Sequence, residues 1–168
     1  MLQLNMSNEL IFGDTTNYNE DKENVRYILI LDPNDCENTN KISSATIYAD
    51  NPEEICIISK NEKEGLKIIL DYRNESQTIT DLKGKILGNF DEKELVLYYN
   101  NKQSKLFFRD YSFINGKDVP YALIEDNIDN EITKKYFSLP HLRIEFVEAK
   151  PDNLVRNLIL ASIIILTI

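Results

Sequence analysis

A chain of 168 residues, 42% hydrophobic and 28% charged, fits one core; it has too few residues for two independent domains and too few Gly and Pro, five of each, for a collagen-like or low-complexity chain. Nineteen basic residues against 28 acidic ones give a formal net charge of −9, so a polyanion meets a repulsive far field and nucleic acid is a disfavoured partner. The two cysteines, Cys36 and Cys56, and the single histidine, His141, fall short of the usual four ligands of a zinc site.

The first residues, MLQLNMSNELIFGD, carry neither a basic n-region nor a long apolar stretch, so no signal or transit peptide is expected and the default location is cytoplasmic. Residues 1–24 are rich in Asn, Asp, Glu and Thr around one apolar patch at Leu10, Ile11 and Phe12, and read as a loosely packed lead-in to a domain over 25–168. From Val25 the texture changes. VRYILIL is β-branched and aromatic, and Asp32, Pro33, Asn34 and Asp35 stop it as a turn stops a strand. SSATIYA, EICIIS, GLKIILDYR, QTITD, GKILGNF, ELVLYYN and KLFFRDY continue the series, with turn chemistry at roughly ten-residue intervals, the habit of an all-β sandwich or barrel. Cys56, inside EICIIS, reads as a buried thiol rather than half of a disulfide.

Two joints have a mechanism of their own. Asp81-Leu82-Lys83-Gly84 sets a glycine where a reversal needs positive φ, and Asn115-Gly116 is a strong hairpin dipeptide. Short connections imply antiparallel neighbours. After PYALIED, the stretch IDNEITKKYF reads as a short helix or an irregular crossover, and HLRIEFVE alternates Leu142, Ile144 and Phe146 against Arg143 and Glu145, as a half-buried strand does.

Pro151, Asp152 and Asn153 predict a helix over 152–168, because an acid or amide there accepts from the unbonded N–H groups of the first turn. From Leu158 to Ile168 the segment is apolar on every side save Ser162 and Thr167, so it must be surrounded by lipid or by protein. A membrane span needs about 20 apolar residues, and the shortfall favours a buried core helix carried by Leu158, Ile159, Leu160, Ile163, Ile164 and Leu166. No transmembrane span is expected; a peripheral protein anchored by this helix is the alternative. A helix held inside a mainly β chain requires a wide barrel.

The unit TITDLKGKILGNF, strand, Asp-x-x-Gly turn and strand, and above all the ending DNLVRNLILASIIILTI resemble the tubby C-terminal-like superfamily and, within it, the LURP-one-related proteins, which are similar to phospholipid scramblases. The resemblance covers about residues 25–168. It implies a mainly β, α+β fold, a closed antiparallel barrel of about twelve strands around a central C-terminal helix. It also implies a non-enzymatic binding or interaction module whose partner is a protein or a lipid surface. Tubby-type domains bind phosphoinositides through basic pockets, and this acidic chain, with no block of four or more basic residues, departs from that branch.

Enzyme chemistry has little to stand on. No Gly-rich phosphate loop, HExxH or GxSxG occurs, and His141, beside Pro140 in a predicted strand, reads as a strand-edge residue. No cofactor is expected. Asp32, Asp35 and Glu37 in one loop, and Glu125, Asp126, Asp129 and Glu131 in another, offer oxygen ligands of the kind calcium takes, but neither loop has the EF-hand pattern and solvated turns explain them better. A small carboxylate-based hydrolase remains the third reading. Tyr98, Tyr99, Phe107, Phe108 and Tyr111 cluster in sequence and are expected to pack the barrel.

Overall fold

The computed structural model describes residues 9–15, 25–31, 43–51, 54–59, 65–71, 73–126, 137–147 and 152–167. Within these the chain is mainly β with one C-terminal helix. The strands, in chain order, are β1 (Glu9–Thr15), β2 (Val25–Leu31), β3 (Ser43–Asn51), β4 (Glu54–Ser59), β5 (Gly65–Ile69), β6 (Ser76–Asp81), β7 (Ile86–Asp91), β8 (Val96–Tyr99), β9 (Ser104–Arg109), β10 (Ser112–Ile114), β11 (Pro120–Asp126) and β12 (Phe137–Phe146); α1 (Asn153–Thr167) follows. Each strand from β2 onward pairs antiparallel with its successor, as short connections require.

Within residues 1–24, the expected lead-in, Glu9–Thr15 form a strand. That segment pairs with β12, Leu10 opposite Ile144 and Phe12 opposite Leu142, and with β2, Phe12 opposite Ile30. The short ELIFGDT run has the apolar content of a strand, and the polar residues flanking it hide that in the composition. The stretch IDNEITKKYF lies outside the described residues up to Phe137, where β12 begins.

The turns explain the ten-residue rhythm. Asp81 Oδ1 accepts from the N–H groups of Lys83 and Lys85, both at 2.9 Å; Asp91 Oδ1 accepts from Lys93 and Glu94 at 2.9 and 3.0 Å; Asp71 Oδ1 accepts from Arg73 and Asn74 at 3.1 and 3.2 Å. A carboxylate at the strand end thus replaces the ladder partners that the reversing backbone loses. The Asn74 side chain, followed by its backbone N–H, holds the Asp71 carboxyl below its ordinary value of 3.8, and the Lys85 N–H, followed by that of Lys83, does so for Asp81. Gly84 supplies the expected positive φ, 91°. At Asn115-Gly116 the hairpin forms by another route: Asn115 Oδ1 accepts from Lys117 and Val119, and the left-handed residue is Asp118, φ 60°, rather than the glycine.

Gln77, 2% exposed, ties two of these turns together. Its Oε1 accepts from the Asp71 N–H at 2.7 Å and its Nε2 donates to Glu92 Oε2 at 2.6 Å.

α1 begins as its sequence requires, with Asp152 Oδ1 accepting from the Val155 N–H at 3.0 Å. Successive helical residues are turned by about 100°, and every residue from Asn157 to Ile165 is buried, so α1 is covered on all sides. Leu158, Ile159, Leu160 and Ile164 have no exposed surface, Ile163 is 2% exposed, and Leu166 is half-buried at the far end. They share one core with Ile68, Ile79, Phe90, Leu97, Leu106 and Phe113 from the strands. Burial of each large aliphatic side chain contributes about 1.5–3 kcal/mol as an upper bound. At Gly88 sheet and helix approach closely: a Cβ there would stand 2.9 Å from the Tyr98 carbonyl oxygen and 3.1 Å from Leu158 Cδ2. At about 22 Å a helix of 15 residues falls short of a bilayer core, and no described helix is long and apolar enough to cross a membrane.

Candidate functional site

Strand parity sorts the aromatic cluster into two sets. Leu97 opposite Leu106 and Phe108 opposite Phe113 face the core, and the Phe108 and Phe113 rings meet at 5.0 Å and 50°. Tyr99 packs against that core as well. Tyr98, opposite Lys105, and Phe107, opposite Val96, take the outer face, and Tyr111 stands 61% exposed in the β9–β10 turn. The expectation that all five pack the interior therefore holds for Tyr99 and Phe108 alone.

An open cleft of about 340 Å³ lies where β7 and β8 meet the β8–β9 turn. Three local features build it. Ile79 pairs with Gly88 and Thr80 with Ile86, which leaves Leu87 as an extra residue, a bulge that brings Ile86 to the surface at 69% exposure. Across from the bulge, Tyr98 and Tyr99 supply an aromatic wall. The turn beyond them holds Asn100, Asn101 and Lys102 all left-handed, at φ 54°, 53° and 65°, closed by Gln103 N–H donating to the Asn100 carbonyl at 3.0 Å. Such backbone costs on the order of 1 kcal/mol per non-glycine residue, and it serves strand reversal here as it does at Glu75, Leu95, Asp110, Tyr111 and Asp118.

Among the described residues the lining joins aliphatic, aromatic, amide and ammonium groups, with no carboxylate, imidazole or thiol. Partial burial, then the Glu94 carboxylate, lifts the Tyr98 phenol above its ordinary value of 10.0; burial, then Tyr121 and Asp152, does the same for Tyr99. Both phenols therefore stay protonated at neutral pH and offer hydrogen bonds rather than charge. Tyr98 OH donates to Glu94 Oε2 at a long 3.4 Å.

The residues singled out as oxygen ligands do not converge among those described. Asp32, Asp35, Glu37, Asp129 and Glu131 lie outside the described residues, as does Cys36. Asp126 ends β11 opposite Leu142, exposed, and Glu125 Oε2 is 3.3 Å from Arg143 Nη1. No group of three or more His, Cys, Asp and Glu able to hold a metal occurs among the described residues. The backbone of His141 pairs with Gly13, and Cys56 Sγ donates to Glu54 Oε1 at 3.4 Å. Ile86, Asn101 and Lys102 went unread in the sequence; the Asn100-Asn101 pair, a residue type that tolerates left-handed backbone, was the signal available.

No family model and no solved structure matches the chain. It is 30% identical over 123 residues to an ankyrin repeat domain-containing protein of cowpox virus (strain Brighton Red), an alignment covering 71% of this chain. The chain spans 18% of the length of that curated relative. An ankyrin repeat is a turn and two helices in about 33 residues, whereas the described residues hold one helix among strands, so the likeness carries no ankyrin repeat into this structure and does not bear on the tubby-like resemblance.

Proposed function

We propose that this chain is a non-enzymatic binding module of the tubby-like, LURP-one-related type, its sheet closed as a barrel of twelve strands around α1 and its partner a protein or lipid surface met in the cytoplasm. In support of closure, β1 is in register with β12 along one side and with β2 along the other. Cysteines at Glu9 and Glu145, which stand opposite each other, should form a disulfide on oxidation, and failure to cross-link would count against the closed barrel.

The binding reading rests on the cleft, whose lining of aliphatic, aromatic, amide and ammonium groups suits recognition. A carboxylate hydrolase needs one acid held above its ordinary value, and the described carboxylates with a shift, Asp71 and Asp81, are held below it. An anchor reading would require α1 to leave the core in which it lies buried. Cell extract and vesicles of mixed phospholipid should each be offered to the native chain and to a Tyr98→Ala, Lys102→Glu variant. We expect a species retained by the first and lost by the second; equal retention by both would overturn the cleft as the binding site.

A further inference from the structure

The outer face of β8, β9 and β10 runs against the charge of the whole molecule. Residues 98–117, β9 and β10 with the turns beside them, carry Lys102, Lys105, Arg109 and Lys117 against a single acid, Asp110, within a chain of net charge −9; Asp91 and Glu94 lie at the β7–β8 edge of this face, Glu94 against Tyr98. All four cations are exposed, and none makes an ion pair among the described residues, although carboxylates outnumber cations 28 to 19 in the chain. On β9 the outward side chains read cation, aromatic, cation: Lys105 Nζ lies 5.3 Å and Arg109 Cζ 4.8 Å from the centre of the Phe107 ring. The ring thereby holds an ammonium and a guanidinium in place without neutralising them.

We propose that this face docks an acidic segment of a partner protein, bound extended, in which two acids flank one apolar residue at alternate positions. The proposal rests on the reading of the chain as a binding module and names the chemistry of its partner; the face adjoins the cleft through Tyr98. Residues 105 and 109 are separated by about 13 Å along the strand, the same span as residues i and i+4 of an extended peptide. An acid–x–apolar–x–acid pattern therefore sets its acids over Lys105 and Arg109 and its apolar side chain over Phe107. A guanidinium lying over a ring keeps donors for a carboxylate, so the two contacts are compatible. The net charge of −9 repels a dense polyanion more than a peptide with two acids, so the observations favour the peptide over single-stranded nucleic acid.

The test uses the full chain and a fluorescein-labelled peptide of repeated Glu-Ser-Leu-Ser-Glu, read by anisotropy at low and physiological salt. Its comparators are a peptide of the same composition in shuffled order and a dT oligonucleotide of equal charge. We expect the patterned peptide to bind best, and Lys105→Gln with Arg109→Gln to weaken it about tenfold or more. The same charge change at Arg73 and Lys83, in the β5–β6 and β6–β7 turns, which join none of β8, β9 and β10, should weaken it less than about threefold, because a charge acting only through the far field contributes little. Circular dichroism of both double variants confirms that they fold. No binding, equal loss in the two variants, equal affinity for the shuffled peptide, or tighter binding of the oligonucleotide each overturns the proposal. Retention that depends on Tyr98 and Lys102 could survive that failure, so the two readings fall separately.

Discussion

On the inner face of β8 and β9, Leu97 stands opposite Leu106 with no exposed surface and closes over α1; on the outer face, one residue away, Tyr98 stands opposite Lys105 and Phe107 lies between two cations. The same four-residue and six-residue strands thus serve two kinds of physics. Inside, what matters is volume and the exclusion of water, and many aliphatic sequences would serve. Outside, packing constrains the strands less, and the exposed cations without ion pairs among the described residues are a feature the fold alone does not explain.

The sharpest way to break the comparison is to move a charge across it. Ile164→Asp places a carboxylate in the covered helix, where burial without a partner costs at least about 4 kcal/mol, and we expect urea unfolding to show little or no folded protein. Arg109→Asp makes a comparable chemical change on the outer face and should shift stability by only about 0.5 kcal/mol. Equal losses from the two would deny that inner and outer faces differ.

A smaller effect is expected at Asn157, which has no exposed surface and whose amide nitrogen and oxygen both lack a hydrogen-bond partner among the described residues. Ser162, one turn on, settles the same problem by donating to the Leu158 carbonyl at 2.7 Å. Asn157→Leu removes an unpaired amide from the core and should stabilise the chain by about 1–2 kcal/mol in the same assay. A loss of stability instead would show that the amide has a role the apolar helix does not reveal.

The smallest effect sits at the turns. Because Asp71 and Asp81 are held below 3.8 in the folded chain, their contribution is present above that value and is lost as pH falls through the folded values. Asp81→Asn keeps the acceptor, as Asn115 does in its own turn, but not the titration. The variant should therefore show a shallower loss of stability below pH 3.8 and a small change at neutral pH; an unchanged acid limb would remove Asp81 from the account.

Most strands were legible because β-branched runs alternate with Asp-rich turns, and the helix because Asp152 precedes an unbroken apolar stretch. Two strands were not. β1 is a single apolar patch in polar surroundings, whose partners β2 and β12 are fixed by long-range pairing, and β10 has three residues, too few to show a period. The Asn115-Gly116 dipeptide marked its hairpin and misled about the mechanism, since an Asn side chain can stabilise a turn that leaves the left-handed position to Asp118. Of the candidate site, the aromatics were visible as a group. Their division between faces needed the register, and the cleft needed the bulge at Leu87, which no local residue pattern announces.

Amide hydrogen exchange of residues 157–165, followed by mass spectrometry or NMR, tests the covering of α1 most directly. If the sheet encloses the helix, these amides should exchange only as the whole molecule unfolds, as slowly as those of Leu97 and Leu106. Exchange at the rate of the exposed turn at residues 100–103 would contradict it.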